Sequence, residues 1–255
     1  MQHSLSKGRV ELTDASLTID KIVNERGSHV PRESDHLRFL FSPSPLMLYV
    51  GDMQQFVTER SAIKVQPDTP IGIEAANGAV IYQISFTQDE QRYLDELKKD
   101  PFFYKLSGKE RKEWDNVKDK DLDFRAWGEW NATDIVYLPR VVIAPPHSRG
   151  HRMVGNGWQL MYAKASRAVG VGSDYIFKVR DQESLHAHKL ITEVYICLGG
   201  EMALQVDQDE VMLKQDDVAA LPPGPIHCMK RLVKTPYQGI TLQTPSIPGD
   251  KIVHL

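Results

Sequence analysis

Turn-forming residues cut this chain into short β segments, and that punctuation limits its possible folds more than any other feature. From Leu37 to Phe86 it reads LRFLF, LMLYV, FVTERSAIKVQ, IGIEA and AVIYQISF. Ser42-Pro43-Ser44-Pro45, Gly51-Asp52, Pro67-Asp68 and Asn77-Gly78 separate these runs, and such residues end strands and supply turn geometry. Asn77-Gly78 between two apolar runs predicts a hairpin. The pattern returns from Asp134 to the C-terminus, through DIVYLPRVVIA, WQLMYAKA, DYIFKVR, HAHKL, EVYICL, MALQV, EVMLKQ, VAALP, HCMKRLV and QGITLQT. Many short strands at regular turns predict a mainly β chain folded as sandwiches or barrels.

The stretch between the two β blocks has another character. Thr87-Gln88-Asp89-Glu90 reads as a capping box opening a helix whose apolar stripe is Tyr93, Leu94 and Leu97. Lys98-Lys99 suit the negative end of a helix dipole, and Pro101 stops the helix. Lys105 to Asp123 is dense in mixed charge, which predicts a second short helix or a solvated connector. Phe124, Trp127 and Trp130 follow as an aromatic cluster expected to cap a core. The expected organisation is therefore residues 1–86 as one β domain, 87–133 as a charged helical connector and 134–255 as a second β domain.

Composition excludes several classes. A net charge of −3 gives no basic footprint for nucleic acid, and no apolar run approaches the roughly 18 residues of a membrane span. MQHSLSKGRVELTD lacks the apolar centre of a signal peptide, so Asn131-Ala132-Thr133 is not expected to be glycosylated. Two cysteines cannot form a disulfide framework and fit a reducing compartment, so a cytoplasmic location is expected.

A weak internal repeat links the two β blocks. Val65 to Phe86 aligns with Ala220 to Leu242, setting Pro70-Ile71-Gly72 against Pro225-Ile226-His227. Upstream, LMLYVGD (46–52) resembles EVYICLGGE (193–201). The expectation is duplication of one β unit.

The chemistry concentrates in 185-LHAHKLITEVYICLGGE-201. Side chains two apart face each other on a strand and not on a helix. His186 and His188 would thus point into one space, with Glu193 supplied by the next strand. Pro222-Pro223-Gly224-Pro225 makes a turn that delivers His227 onto a further strand. Three imidazoles and one carboxylate suit a first-row divalent metal and leave one or two coordination positions open, the arrangement of a catalytic site.

The spacing H-x-H-x4-E-x6-G, read as His186, His188, Glu193 and Gly200, resembles the first motif of the cupin superfamily, and Pro222, Gly224 and His227 resemble its second. The resemblance covers roughly 100 residues of the C-terminal half. It implies a jelly-roll β-barrel whose four side chains hold a divalent metal, Fe(II) first, with Mn, Ni or Zn as alternatives. Departures from the pattern are Arg180, Arg231 and Asp216-Asp217, none of them at a ligand position. In the N-terminal half Gly72 stands opposite His227 and no H-x-H precedes LMLYVGD. That half is expected to be a degenerate cupin without metal, serving packing or dimer formation, so the whole reads as a bicupin.

Strand alternation extends the site. Glu193 inward carries Tyr195 and Cys197 inward, while His227 inward carries Met229 and Arg231, with Cys228 on the other face. Cys197 and Cys228 are then not expected to pair. Arg231 suits bidentate capture of a carboxylate or phosphate, so a small anionic substrate is expected, with Met229 and Cys197 lining its space. Tyr195 is expected as a general acid or base, the role of its counterpart in some cupin lyases. His147 and His151 fall in a Pro- and Gly-marked loop expected near the barrel mouth. The superfamily resemblance implies a metal-dependent enzyme, an Fe(II) dioxygenase first. A Lewis-acid isomerase, lyase or cyclase and a non-catalytic ligand-binding cupin are the alternatives, and a homodimer is the common assembly of such barrels.

Overall fold

The structure is a computed structural model that describes residues 2–24, 28–29, 34–115, 136–144, 152–154, 157–162, 168–176, 184–230, 237–247 and 250–254. The aromatic cluster at Phe124, Trp127 and Trp130, the loop histidines His147 and His151, and both Arg180 and Arg231 lie outside the described residues.

The chain is mainly β. Its first strands are β1 (Gln2–Ser4), β2 (Arg9–Leu12), β3 (Leu17–Val23), β4 (Ser28–His29), β5 (Leu37–Ser42), β6 (Leu46–Val50), β7 (Met53–Val57), β8 (Ser61–Val65), β9 (Gly72–Ala75) and β10 (Val80–Phe86). Two helices follow, α1 (Glu90–Leu97) and α2 (Gly108–Asp115). Then come β11 (Val136–Leu138), β12 (Val141–Ala144), β13 (Arg152–Val154), β14 (Gly157–Tyr162), β15 (Gly170–Ile176), β16 (His186–His188) and β17 (Thr192–Gly199). The last strands are β18 (Glu201–Val206), β19 (Asp209–Lys214), β20 (Asp217–Leu221), β21 (His227–Lys230), β22 (Tyr237–Thr244) and β23 (Lys251–Val253). No helix among the described residues is long and apolar enough to cross a membrane.

Two compact units emerge, and neither is continuous in sequence. One gathers residues 7–89 and 130–150, the other residues 1–6, 90–129 and 151–255. In the first unit a sheet of order β11-β12-β8-β5-β10-β3-β2 faces a sheet of order β4-β9-β6-β7. Leu40, Ile63, Val65 and Ile81 from the larger sheet share one apolar core with Leu46, Leu48, Val57 and Ile73 from the smaller. On β6 every second residue is buried, which is how a strand supplies one face to a core. In the second unit the sheets run β1-β20-β17-β22-β15-β14-β13 and β19-β18-β21-β16-β23. Tyr195, Cys197, Ala219 and Leu221 of the larger sheet pack there with Met202, Leu204, Leu213 and Met229 of the smaller. Two facing antiparallel sheets around one core, made twice, is the sandwich architecture expected from the strand count and fits the jelly roll implied by the motif resemblance.

The hairpin expected at Asn77-Gly78 is not there. A turn does form, with the Ala79 N–H on the Ala76 carbonyl at 2.9 Å, but β9 pairs with β6 and β4 whereas β10 pairs with β3 and β5. Gly78 has a positive φ of 81° and Asn77 does not. That is a type II pattern, which lacks the twist that folds two strands onto each other. Asn24 holds the crossing point, its side chain donating to the Ala75 carbonyl at 2.8 Å and its carbonyl accepting from Gly78 N–H at 2.6 Å. The tight two-residue hairpin is instead at Gly51-Asp52, joining Val50 to Met53. The capping box is also displaced: α1 begins at Glu90, so Asp89 and not Thr87 immediately precedes it.

The upstream part of the repeat is shifted by one strand. β6, which carries LMLYV, lies in the smaller sheet beside β9, as β18 lies beside β21. The counterpart of β17 is β5, which sits between β8 and β10 as β17 sits between β20 and β22. Apolar strands followed by a turn resemble one another, and only the pairing tells them apart.

Candidate metal centre

β16 is three residues long, and its alternation puts His186 and His188 on one side of the strand. β21 lies against it with His186 opposite His227. His227 is the first residue of its strand because the preceding turn reverses the chain at Gly224, whose φ of 115° is open to glycine and strained for other residues. That turn is fastened to the first motif: Gly224 N–H donates to the His188 carbonyl at 2.9 Å. Glu193, near the start of β17, completes the group from the facing sheet.

The structure thus brings together all four residues expected as ligands. One donor atom from each of His186, His188, Glu193 and His227 lies within 4.8 Å of every other. Each residue is at most 4% exposed, so the group is withdrawn from bulk water. The three Nε2 atoms converge on Glu193 Oε2, at 3.6 Å for His186, 3.5 Å for His188 and 2.8 Å for His227.

What turns the Nε2 atoms inward is the other ring nitrogen. His186 Nδ1 is 2.9 Å from the Ser184 carbonyl, and His227 Nδ1 is 3.0 Å from the Pro225 carbonyl. An Nδ1–H donated to a backbone oxygen leaves Nε2 with its lone pair free for a metal. Glu193 is held as firmly. Tyr195 donates its hydroxyl to Oε2 at 2.7 Å, and Gln243, directly opposite on β22, donates Nε2 to Oε1 at 2.9 Å. Burial by itself would raise the Glu193 pKa; the surrounding His186, His188 and His227 rings outweigh it and hold the carboxyl well below the usual range.

One observation tests whether these residues fit a metal. His188 Nε2 is buried and has no hydrogen-bond partner. An orphaned buried acceptor costs about 1–3 kcal/mol, and a divalent ion among three imidazoles and a carboxylate removes that cost. The donor set fits.

The other expected site residues are placed as follows. Tyr195, Cys197 and Met229 all face the core of the unit, as alternation predicts. The Cys197 thiol points to the carbonyls of Gly199 and Gly200, at 3.7 Å each, and lies roughly 13 Å along β17 from Glu193 at the usual strand rise. Burial pushes this thiol up to about 12, so it stays protonated and is no nucleophile. Neither cysteine is in a disulfide. Sequence reasoning missed Gln243 and Asp250. Gln243 meets Glu193 and Asp250 lies beside His188 across sequence separations of 50 and more, and neither belongs to a local pattern.

No protein-family model matches the chain, and no curated protein matches it. Solved structures do match. The chain is similar over 99% of its length to a Lactobacillus farciminis oxalate decarboxylase solved with formate, covering 88% of that chain with a TM-score of 0.64 at 12% identity. It is similar in the same way to a mutant Bacillus subtilis oxalate decarboxylase, covering 79% of it with a TM-score of 0.62 at 13% identity. At this identity the likeness shows the fold alone, the two-unit bicupin-like arrangement that the motif resemblance implies.

Proposed function

We propose that the chain is a metal-dependent enzyme acting on a small organic anion, and that its reaction is of the lyase class, with no net consumption of O2. The metal dependence is carried by one observation, the convergence of three buried imidazole nitrogens and one carboxylate with His188 Nε2 left without a partner. The lyase class is supported by the likeness of fold to oxalate decarboxylases. Fe(II) dioxygenation uses the same donor set and is the alternative.

A divalent ion held there supplies Lewis-acid polarisation of a bound carboxylate or carbonyl and, if it is iron or manganese, a redox centre. The protein's part is to hold His186, His188, His227 and Glu193 in place and keep the site dry. Tyr195 acts on Glu193: its hydroxyl proton is engaged with Oε2, which fits it to orient the carboxylate. Arg231, next in the alternation after Met229, is the anchor proposed for the substrate's negative charge, as a guanidinium matches a carboxylate with two parallel hydrogen bonds.

The deciding experiment starts with metal content by mass spectrometry, wild type beside His188→Ala, and continues with CO2 release and O2 uptake on a panel of small mono- and dicarboxylates. Metal near one per chain in the wild type, lost in the variant, with CO2 release and no O2 uptake, is the expected result. Stoichiometric O2 uptake would move the assignment to a dioxygenase. Tight binding of a carboxylate without turnover would make the protein a binding cupin, and no metal after reconstitution would remove the metal reading altogether. A KM for the substrate unchanged in Arg231→Ala would discard the anchor.

A further inference from the structure

The three histidines are oriented by different means, and the difference singles out Asp250. His186 and His227 each turn Nδ1 to the carbonyl two residues upstream, Ser184 and Pro225. His188 has no such oxygen. The residue two before it is His186, within a strand paired on both edges, with β21 on one side and β23 on the other. A backbone carbonyl inside a ladder is already bonded. What faces His188 Nδ1 is the Asp250 carboxylate, with Oδ2 3.6 Å away.

Asp250 is built into that place. It is 2% exposed. Its Oδ2 accepts three consecutive backbone N–H groups, from Lys189 at 3.0 Å, Leu190 at 3.1 Å and Ile191 at 3.1 Å. These amides belong to the turn that leaves β16, so the carboxylate is locked to the segment carrying His188. The chain then continues as β23, which lies antiparallel along β16 with Lys251 opposite His188 and Val253 opposite His186. Asp250 Oδ1 and His188 Nδ1 are both buried without a hydrogen bond. The carboxylate approaches the ring through Oδ2, and the 3.6 Å to Nδ1 is within one small side-chain shift of the roughly 2.8 Å of a charge-assisted bond.

The geometry points to Asp250 as the positioning residue of the metal centre. Its carboxylate receives Nδ1–H of His188, fixes that tautomer, aims Nε2 at the site and strengthens it as a donor. The C-terminal strand is then a working part of the centre as well as an edge of the sheet. This inference rests on the reading of the four residues as metal ligands. A carboxylate behind a ligating imidazole raises its basicity, and losing such a partner costs about 10–100-fold in metal affinity.

The test uses Zn(II) as the probe on the full-length chain, titrated against a chromophoric chelator. Wild type, His188→Ala, Asp250→Asn and Asp250→Ala are compared, with thermal melting of each metal-free form. Asp250→Asn keeps an oxygen for the loop amides and removes the charge. The expected result is a loss of Zn(II) affinity of about 10–100-fold in both Asp250 variants, and larger in His188→Ala. A merely structural role predicts the opposite split, with lower melting temperatures and wild-type affinity in the folded variants. A second measurement needs no variant: long-range 1H–15N correlation spectra of the Zn(II)-loaded wild type should show His188 protonated at Nδ1. His188 protonated at Nε2, or wild-type affinity in Asp250→Asn, would overturn the role of Asp250 and leave the metal centre standing. Failure of the wild type to bind Zn(II) would instead overturn the metal reading and this inference with it.

Discussion

The two β units have the same strand pairing around very different centres. In the unit with the candidate metal centre Glu193 is the second residue of β17 and lies opposite Leu221, the last of β20, and Gln243 of β22. In the other unit the second residue of β5 is Arg38, opposite Val65, the last of β8, and Ser85 of β10. Arg38 therefore occupies the place of the glutamate ligand, and Gly72, first in β9, occupies that of His227. Even the turns between these strands correspond. Gly224 N–H bonds to the His188 carbonyl in one unit, and Asp68 N–H bonds to the Ser34 carbonyl at 2.7 Å in the other. A fully buried guanidinium, donating to the Thr69 carbonyl at 2.7 Å, stands where the second unit offers the Glu193 carboxylate. A cation there repels a metal ion and provides no lone pair. The same strand arrangement is thus compatible with either a candidate metal centre or a cationic core, and a few side chains decide which.

The largest effect should separate the units by metal content. His227→Ala is expected to reduce bound metal from about one per chain to background, whereas Arg38→Met leaves it at the wild-type level; mass spectrometry of the purified folded proteins measures both. Two metals per chain, or loss of metal in Arg38→Met, would break the asymmetry. Stability should show the reverse dependence. Arg38→Met leaves the buried Thr69 carbonyl without its donor, at a cost of about 1–3 kcal/mol, read as a shift in the denaturation midpoint.

A smaller effect concerns the matching turns. Gly224→Ala forces a side chain into a φ of 115° and should cost about 1–3 kcal/mol, with weaker metal binding because the same turn sets His227. Asp68, at a φ of 54°, already tolerates the left-handed region, so Asp68→Gly should change stability by less than about 1 kcal/mol and leave metal affinity alone. Equal effects at the two turns in equilibrium unfolding and metal titration would show that only one of them is matched correctly. The smallest effect is chemical. With Cys197 pushed up to about 12 by burial and Cys228 also buried, a disulfide-exchange reagent at pH 8 should find no thiol in the folded protein and both after denaturation. A fast-reacting thiol in the native state would contradict the packing of the second unit.

Much of this was legible in the sequence because it depends on local rules. Period-two alternation put His186 beside His188 and sent Tyr195, Cys197 and Met229 to the core. Turn chemistry delivered His227 to the head of its strand. Those rules need only neighbours in sequence. They also misled, since Asn77-Gly78 has the composition of a hairpin and makes a crossing between sheets. The choice between the two lies in which partners β9 and β10 find elsewhere.

The sequence alone determined the β architecture, the two-fold recurrence and the four residues at the centre of the second unit, because strand period and motif spacing are properties of contiguous residues. Only the tertiary structure decided that residues 2–4 pair with β20 in the unit that holds the four candidate ligands. It alone showed that Gln243 and Tyr195 clamp Glu193, that Asp250 stands behind His188, and that Arg38 fills the ligand position of the other unit. Each of these contacts is set by the register of strands distant in sequence, and register is fixed by the burial of whole sheet faces.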